Sequence, residues 1–595
     1  ATLSANRNLT LVESQLRTSG DLNLLANNTV RVRDSVANPF VANAGGNLYI
    51  QGNQSIDILA LNHLSQTPFV SGGNLTLVSD GIISTDAHFR SGSNTSIVDL
   101  SGKPANFISL YDPIFTQSDD YTSGGYTGAS LKVDTTSGTG NITFNGDILI
   151  TSPDATYAGA TTGDEFILGS LRSVILRSGG NIQTRNIDTY NNNSFGNGIG
   201  PVVMQATGNI VSGKYTGASI KIDTTSGTGN IIFNGDIDIT SADATYAGAT
   251  TGDEFILGSS RSVILRSGGN IQIGNITAPV GTPPNLGPVI MQATGNIQTE
   301  TIRTDGLAAE GGDISLTAGG NILTGTLTSG ILAGSGKGGD INLNAGGTIT
   351  TGSLASSGFT SSGDITVKAK NDISLNCIDP QSCIESFARG YPSVISTGRS
   401  GNVTIISEQG AIIFPPNGVH IRTGDIYSTS PGSITLQANH NISVDYINSN
   451  SDSTGGAQAD GANINITSVN GSINIGQTSA ISLANIGGTL VGNSFKTANG
   501  LSINIKAARD ITTGNLNVRA NQNGGQIALT SGGSINTGTI DVTGDRAAGN
   551  ITIQASTGIT TPTTGTAIAG TSSNGNGSNV TLSTASGDIN IGDVL

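Results

Sequence analysis

The chain has 595 residues, 85 of them glycine, no tryptophan and two methionines, and its 26 basic and 41 acidic residues leave a formal charge of −15. One compact core does not grow to that length, the Gly/Thr/Asn/Ser-rich composition suits short strands and tight turns and disfavours helices, and an acidic chain without a Lys/Arg cluster excludes a nucleic-acid binder, which needs cations to displace counterions. No run reaches the roughly 18 apolar residues of a membrane-spanning helix, and no charged-then-apolar leader opens the chain.

Residues 1–75 read as β words: Leu48 and Ile50, then Ile56 and Ile58, alternate with polar neighbours as strands with one buried face do. The stretch 100–125, with NFISLYDPIFTQSDDYTSGG, carries aromatics and Pro113, and predicts a longer loop or a distorted coil. Residues 126–187 and 215–276 are near copies, differing at 8 of 62 positions, inside a duplicated module over 126–210 and 215–297. Leu149 is replaced by Asp238 while the flanking isoleucines 148 and 150 persist as Ile237 and Ile239. A position that accepts both Leu and Asp faces water, so its neighbours face the core.

From 300 to 595 a shorter unit dominates, clearest in GGDINLNAGGTITTGSL (338–354), where Ile341, Leu343 and Ile349 point one way and Asn342, Asn344 and Thr350 the other. Asp313, Asp340 and Asp364 begin equivalent strands, and Ser502, Gln526 and Asn550 recur every 24 residues. A unit this small cannot bury its apolar side alone, so copies stack. The expected fold is all-β: one continuous parallel β-helix over 1–595, a solenoid of roughly 20 coils spaced ~4.8 Å apart. The segment 376–400 breaks the period and predicts a lateral loop with a helical turn around Ser386. The chain begins one residue before a β word and ends at GDINIGDVL, which reads as a mature or excised segment with open sheet edges at its two ends.

Few groups point to chemistry. Cys377 and Cys383 are the only cysteines and sit in that one irregular loop, which suits a disulfide in an oxidising compartment. The four histidines, at 63, 88, 420 and 440, are scattered, so no zinc site is expected. The acidic words DDY (119–121) and GDEF (163–166 and 252–255) are candidates for Ca²⁺, but they hold few ligands and read more simply as solvated turns. No catalytic residue, cofactor site or metal site is assigned, and no paired carboxylates mark a glycosidase. The glycine-rich GSGKGGD (334–340) lacks the following helix of a phosphate loop and reads as a turn.

The repeat words GGNLYI, GDINL and ATGNI, with the longer VRDSVANPFVANAGGNLYIQGNQSIDILAL (31–60), DAHFRSG (86–92), YDPI (111–114) and YTGASL (126–131), resemble the filamentous-haemagglutinin-like large exoproteins of two-partner secretion, in their cyanobacterial form. The resemblance covers nearly the whole chain. It implies a right-handed β-helical rod exported through an outer-membrane two-partner-secretion barrel and displayed outside the cell, with roles in adhesion, aggregation, fibre formation or biofilm. The family's N-terminal secretion words and a terminal effector are not found in the sequence. The expected function is therefore an extracellular or cell-surface structural and adhesive rod, not an enzyme, with self-association into fibres and surface glycans as candidate partners. The alternatives are a β-helical polysaccharide-acting enzyme, marked by carboxylates and cations converging on one face, and the stalk of a toxin-delivery exoprotein.

Overall fold

The computed structural model describes all residues except 36, 62–66, 112, 152–172, 190–200, 241–261, 278–286, 307–310, 332–335, 378–382, 389–398, 416–420, 424–430, 450–461, 477–480, 483–498 and 501. The described residues contain strands and no helix. The chain is a parallel β-helix and divides into two compact units, residues 1–279 with 291–295 and residues 280–290 with 296–595.

Within each unit one coil passes through three short strands in a fixed order, which define a first, a second and a third face. Around residue 314 the chain makes the third-face strand Ile314–Ala318, then the first-face strand Ile322–Leu323, then the second-face strand Leu327–Gly330, and re-enters the third face at Ile341–Ala345. Each strand pairs in parallel with its equivalent one coil on: Ile314 lies beside Ile341, and Ile341 beside Ile365. Like residues therefore stack on like, which explains why the same apolar word recurs. Ile341 and Ile349 are fully buried and Leu343 nearly so, while Asn342 and Asn344 are exposed. The expected inside–outside alternation holds across the repeats.

Corners between faces are set by Asx residues. In the first unit Asn181 Oδ1 accepts the backbone N–H of Asn209 at 2.8 Å, Asn209 Oδ1 that of Asn230 at 2.8 Å, and Asn230 Oδ1 that of Asn270 at 2.7 Å. That ladder stands where the chain enters the first face; a second one, where it enters the third face, runs from Asp313 to Asp340 to Asp364 to Asn402, each rung within 2.8 Å. Turn N–H groups cannot join a strand ladder and would otherwise lack a protein partner. Glycine serves the same corners for space: a methyl on Gly72 would collide with the Gly45 carbonyl, and one on Gly92 with that of Gly72.

The first unit's core is aromatic at its N-terminal coils. Phe40, Phe69, Phe89 and Phe115 form an interior column with ring centroids 5.1, 4.8 and 4.9 Å apart, and Tyr121 and Phe144 continue it. The aromatic stretch expected to distort the coil at 100–125 instead supplies regular strands on all three faces: Phe107–Ser109, Ile114–Gln117 and Tyr121–Ser123. Among the described residues the pattern is broken by a short turn at 99–105, where Gly102, at φ 83°, donates its N–H to the Asp99 carbonyl. On the outer side of the third face Ile114 and Ile175 pack with Val203 and are only 6% exposed, with Lys132 in register between the two isoleucines.

Candidate interaction surfaces and polar sites

The segment 376–400 is not a single lateral loop. Its middle is a second-face strand, Ile384–Ala388, paired with Leu354–Gly358, and no helical turn forms around Ser386. Ser386 points inward, fully buried, and its hydroxyl bonds the carbonyls of Gly363 and Gly401 at 3.0 and 3.1 Å. Ser386 continues the inward serine column of Ser329 and Ser356, whose hydroxyls likewise bond glycine carbonyls. Cys377 and Cys383 are joined with an S–S distance of 2.09 Å, at the corner between the first-face strand Ile373–Leu375 and this second-face strand.

Of the acidic words, DDY is spent on structure. Asp119 accepts the Ser93 hydroxyl at 2.7 Å, Asp120 is a rung of the corner ladder below Asn141, and the Tyr121 ring is in the core. The GDEF words at 163–166 and 252–255 lie outside the described residues. Among the described residues no three of His, Cys, Asp and Glu gather as a metal site.

Several charged side chains on the outer surface are paired across neighbouring coils. On the second face Asp57 takes Arg31 Nε at 3.0 Å and Arg33 Nη2 at 2.6 Å. Partial burial pushes the Asp57 carboxyl up, but hydrogen bonds and charge from Arg33 and Arg31 outweigh it and hold the group below its usual 3.8. A carboxyl whose value is lower in the folded state stabilises above its unfolded value and loses that contribution as pH falls through the folded one. Asp57→Asn is therefore expected to cost less than about 1 kcal/mol at neutral pH, because the pair is partly solvated. The cost should vanish in strong acid, as measured by urea denaturation at both pH values.

The duplicated modules show how such pairs arise. Leu149 stands 37% exposed on the second face. Its counterpart Asp238 binds Lys214 Nζ at 2.6 Å and accepts the Thr277 hydroxyl at 2.5 Å. Position 125, equivalent to Lys214, is glycine. The change to a carboxylate thus goes with the gain of a cation one coil earlier, and this contact raises the Lys214 pKa. The flanking Ile148, Ile150, Ile237 and Ile239 are all buried.

One buried carboxylate carries no sequence signal beyond the word DAHFRSG. The ten-residue strand Ile82–Ser91 serves both the second and the third face. Asp86, 3% exposed at its bend, accepts the N–H groups of Leu110 and Tyr111 at 2.8 and 2.7 Å and the Ser109 hydroxyl. Asp86→Ala would strand two part-buried N–H donors and remove the buried acceptor of the Ser109 hydroxyl, and a buried donor left unmade costs roughly 1–3 kcal/mol. A loss of about 3 kcal/mol is expected in chemical denaturation, with exchange of the Leu110 and Tyr111 amides accelerated first.

No family model matches the chain, and no curated protein or solved structure matches it either.

Proposed function

We propose that the chain is a structural and adhesive element of the cell surface or extracellular matrix, a β-helical rod exported through an outer-membrane two-partner-secretion barrel. The observation that carries this reading is the outer surface. Among the described residues, Asp57 and Asp238 are bound by a neighbouring cation, Asp313, Asp340 and Asp364 by corner backbone N–H groups, and Asp119 by a hydroxyl, so these carboxylates serve the coil itself. Such a surface offers many repeated weak contacts, which add through multivalency. The likeness of its long words to filamentous-haemagglutinin-like exoproteins supports the same reading.

The test is adhesion and turnover measured together. Beads coated with the protein should cluster with each other or bind glycan-bearing cells in proportion to coating density, and incubation with a panel of polysaccharides should release no fragments. Fragment release would replace the rod with a polysaccharide-acting enzyme. Beads that neither cluster nor bind cells would end the adhesive reading.

A further inference from the structure

Sorting outward residues by face shows a segregation that the linear order hides. No first-face strand among the described residues contains Asp, Glu, Lys, Arg or His, from Thr2–Ala5 to Ile271–Gln272 in the first unit and from Ile297–Gln298 to Ile589–Asn590 in the second. The chain carries 26 basic and 41 acidic residues, and the other faces show them. Arg31, Asp57 and Glu385 lie on second-face strands, and Arg177, Lys368 and Lys506 on third-face strands. The first face instead turns neutral side chains outward: Tyr49, Thr143 and Ile232 in the first unit, Leu323, Thr350 and Ile413 in the second. Leu323 and Ile413 are each 46% exposed. In each unit this gives an uncharged strip flanked by the ordered Asx corners.

We propose that the first face is a self-pairing surface on which a second copy of this chain docks, strip against strip. Charge selects the occupant. Copies with a net charge of −15 repel one another, and the first face is the side on which two of them can meet with no charged strand residue facing the contact. Exposed aliphatic side chains interleaved with Thr, Ser, Asn and Gln, as in the column Leu323, Thr350, Ser374, Ile413, Ser443, also give the low-charge sheet face that dry sheet-to-sheet contacts use.

Area sets the strength. Ten parallel pairings run along the first face of each unit. With coils ~4.8 Å apart and strands of about three residues at ~3.3 Å each, one unit offers a strip of roughly 500 Å². Two such strips bury about 1,000 Å² in total, at the lower limit of a specific contact. The pairing is therefore reversible and concentration-dependent, and gains strength when several copies are displayed together. This inference names the partner of the rod reading and rests on it.

Sedimentation velocity tests it on the whole chain. The weight-average mass should climb with protein concentration toward twice the monomer and should not fall when salt is raised. A triple variant with charge on the first face, T143E with T350E and S443E, should sediment as a monomer throughout. A control with the same charges elsewhere, T127E on the second face with T404E and T435E on the third, should still pair, and matched melting curves confirm that both variants are folded. A wild-type chain that stays monomeric to about 100 µM, well above the micromolar range of weak pairing, overturns the proposal, as does equal dissociation of the control. Binding of a neutral polysaccharide that only the first-face variant loses, with no dimer at any concentration, also overturns it and gives the strip to a glycan. If the protein is monomeric while coated beads still bind cells, pairing fails and the rod reading stands; fragment release from a polysaccharide ends the rod reading itself.

Discussion

Ile148→Asp is expected to cost at least about 4 kcal/mol, whereas Leu149→Asp, one residue on, should cost no more than about 1 kcal/mol, the penalty of a like charge beside Asp188. Ile148 is fully buried beside Tyr126 and Ile187 in the coils on either side. A carboxylate there loses its hydration without gaining a partner. Leu149 points outward between Thr127 and Asp188, so a carboxylate there keeps its hydration but meets one like charge without the lysine that pairs Asp238. Urea denaturation followed by circular dichroism, with peptide-level hydrogen exchange over the module, separates the two. Each coil leans mainly on its immediate neighbours, so loss of protection in Ile148→Asp should centre on the strands at 126–128, 148–150 and 187–188. Equal effects of the two substitutions would refute the assignment of faces.

Phe89→Ala is expected to destabilise the first unit by about 4 kcal/mol, within the range for truncating a buried phenylalanine. Phe89 is 1% exposed and lies between Phe69 and Phe115 at 4.8 and 4.9 Å, so its removal opens a gap in the column and cancels two ring contacts, each worth roughly 0.5–1.5 kcal/mol beyond burial. Phe89→Leu keeps most of the volume and should cost less than half as much. The same urea series reads both. A loss below about 1 kcal/mol for Phe89→Ala would mean the column is not the core of these coils.

Much of this architecture is legible in the sequence because a solenoid repeats its own constraints. Alternation at 341–344 is the local signal, and the Leu149/Asp238 pair confirms it by an internal comparison that needs no other chain. The strand at Ile384–Ala388 was hidden because IESFA, beside two cysteines and an aromatic, lacks the polar–apolar rhythm; its inward serine belongs to a column visible only across coils. The stretch 100–125 looked like an interruption because its words use Phe and Tyr where others use Ile, yet Phe107, Phe115 and Tyr121 occupy the same inward positions. Asp86 resembles any turn acid until the strand through it is seen to bend between two faces. The neutral first face could not be read along the chain, since its strands are two to five residues long and separated by charged corners and insertions. It emerges only when residues are grouped by register.

The claim on which the rest depends is that residues far apart in the chain stack at one coil per ~4.8 Å. Pulsed electron–electron distance measurement in the second unit tests it directly. Spin labels at Asn342 and Asn504 are separated by five parallel pairings, through Thr366, Thr404, Thr435 and Asn465. Labels at Asn342 and Thr581 add three more, through Ala528 and Thr552. The stacked coils predict narrow distributions centred near 24 Å and 38 Å, in the ratio of five to eight. Broad distributions, or a second distance no longer than the first, would contradict the coil-on-coil arrangement.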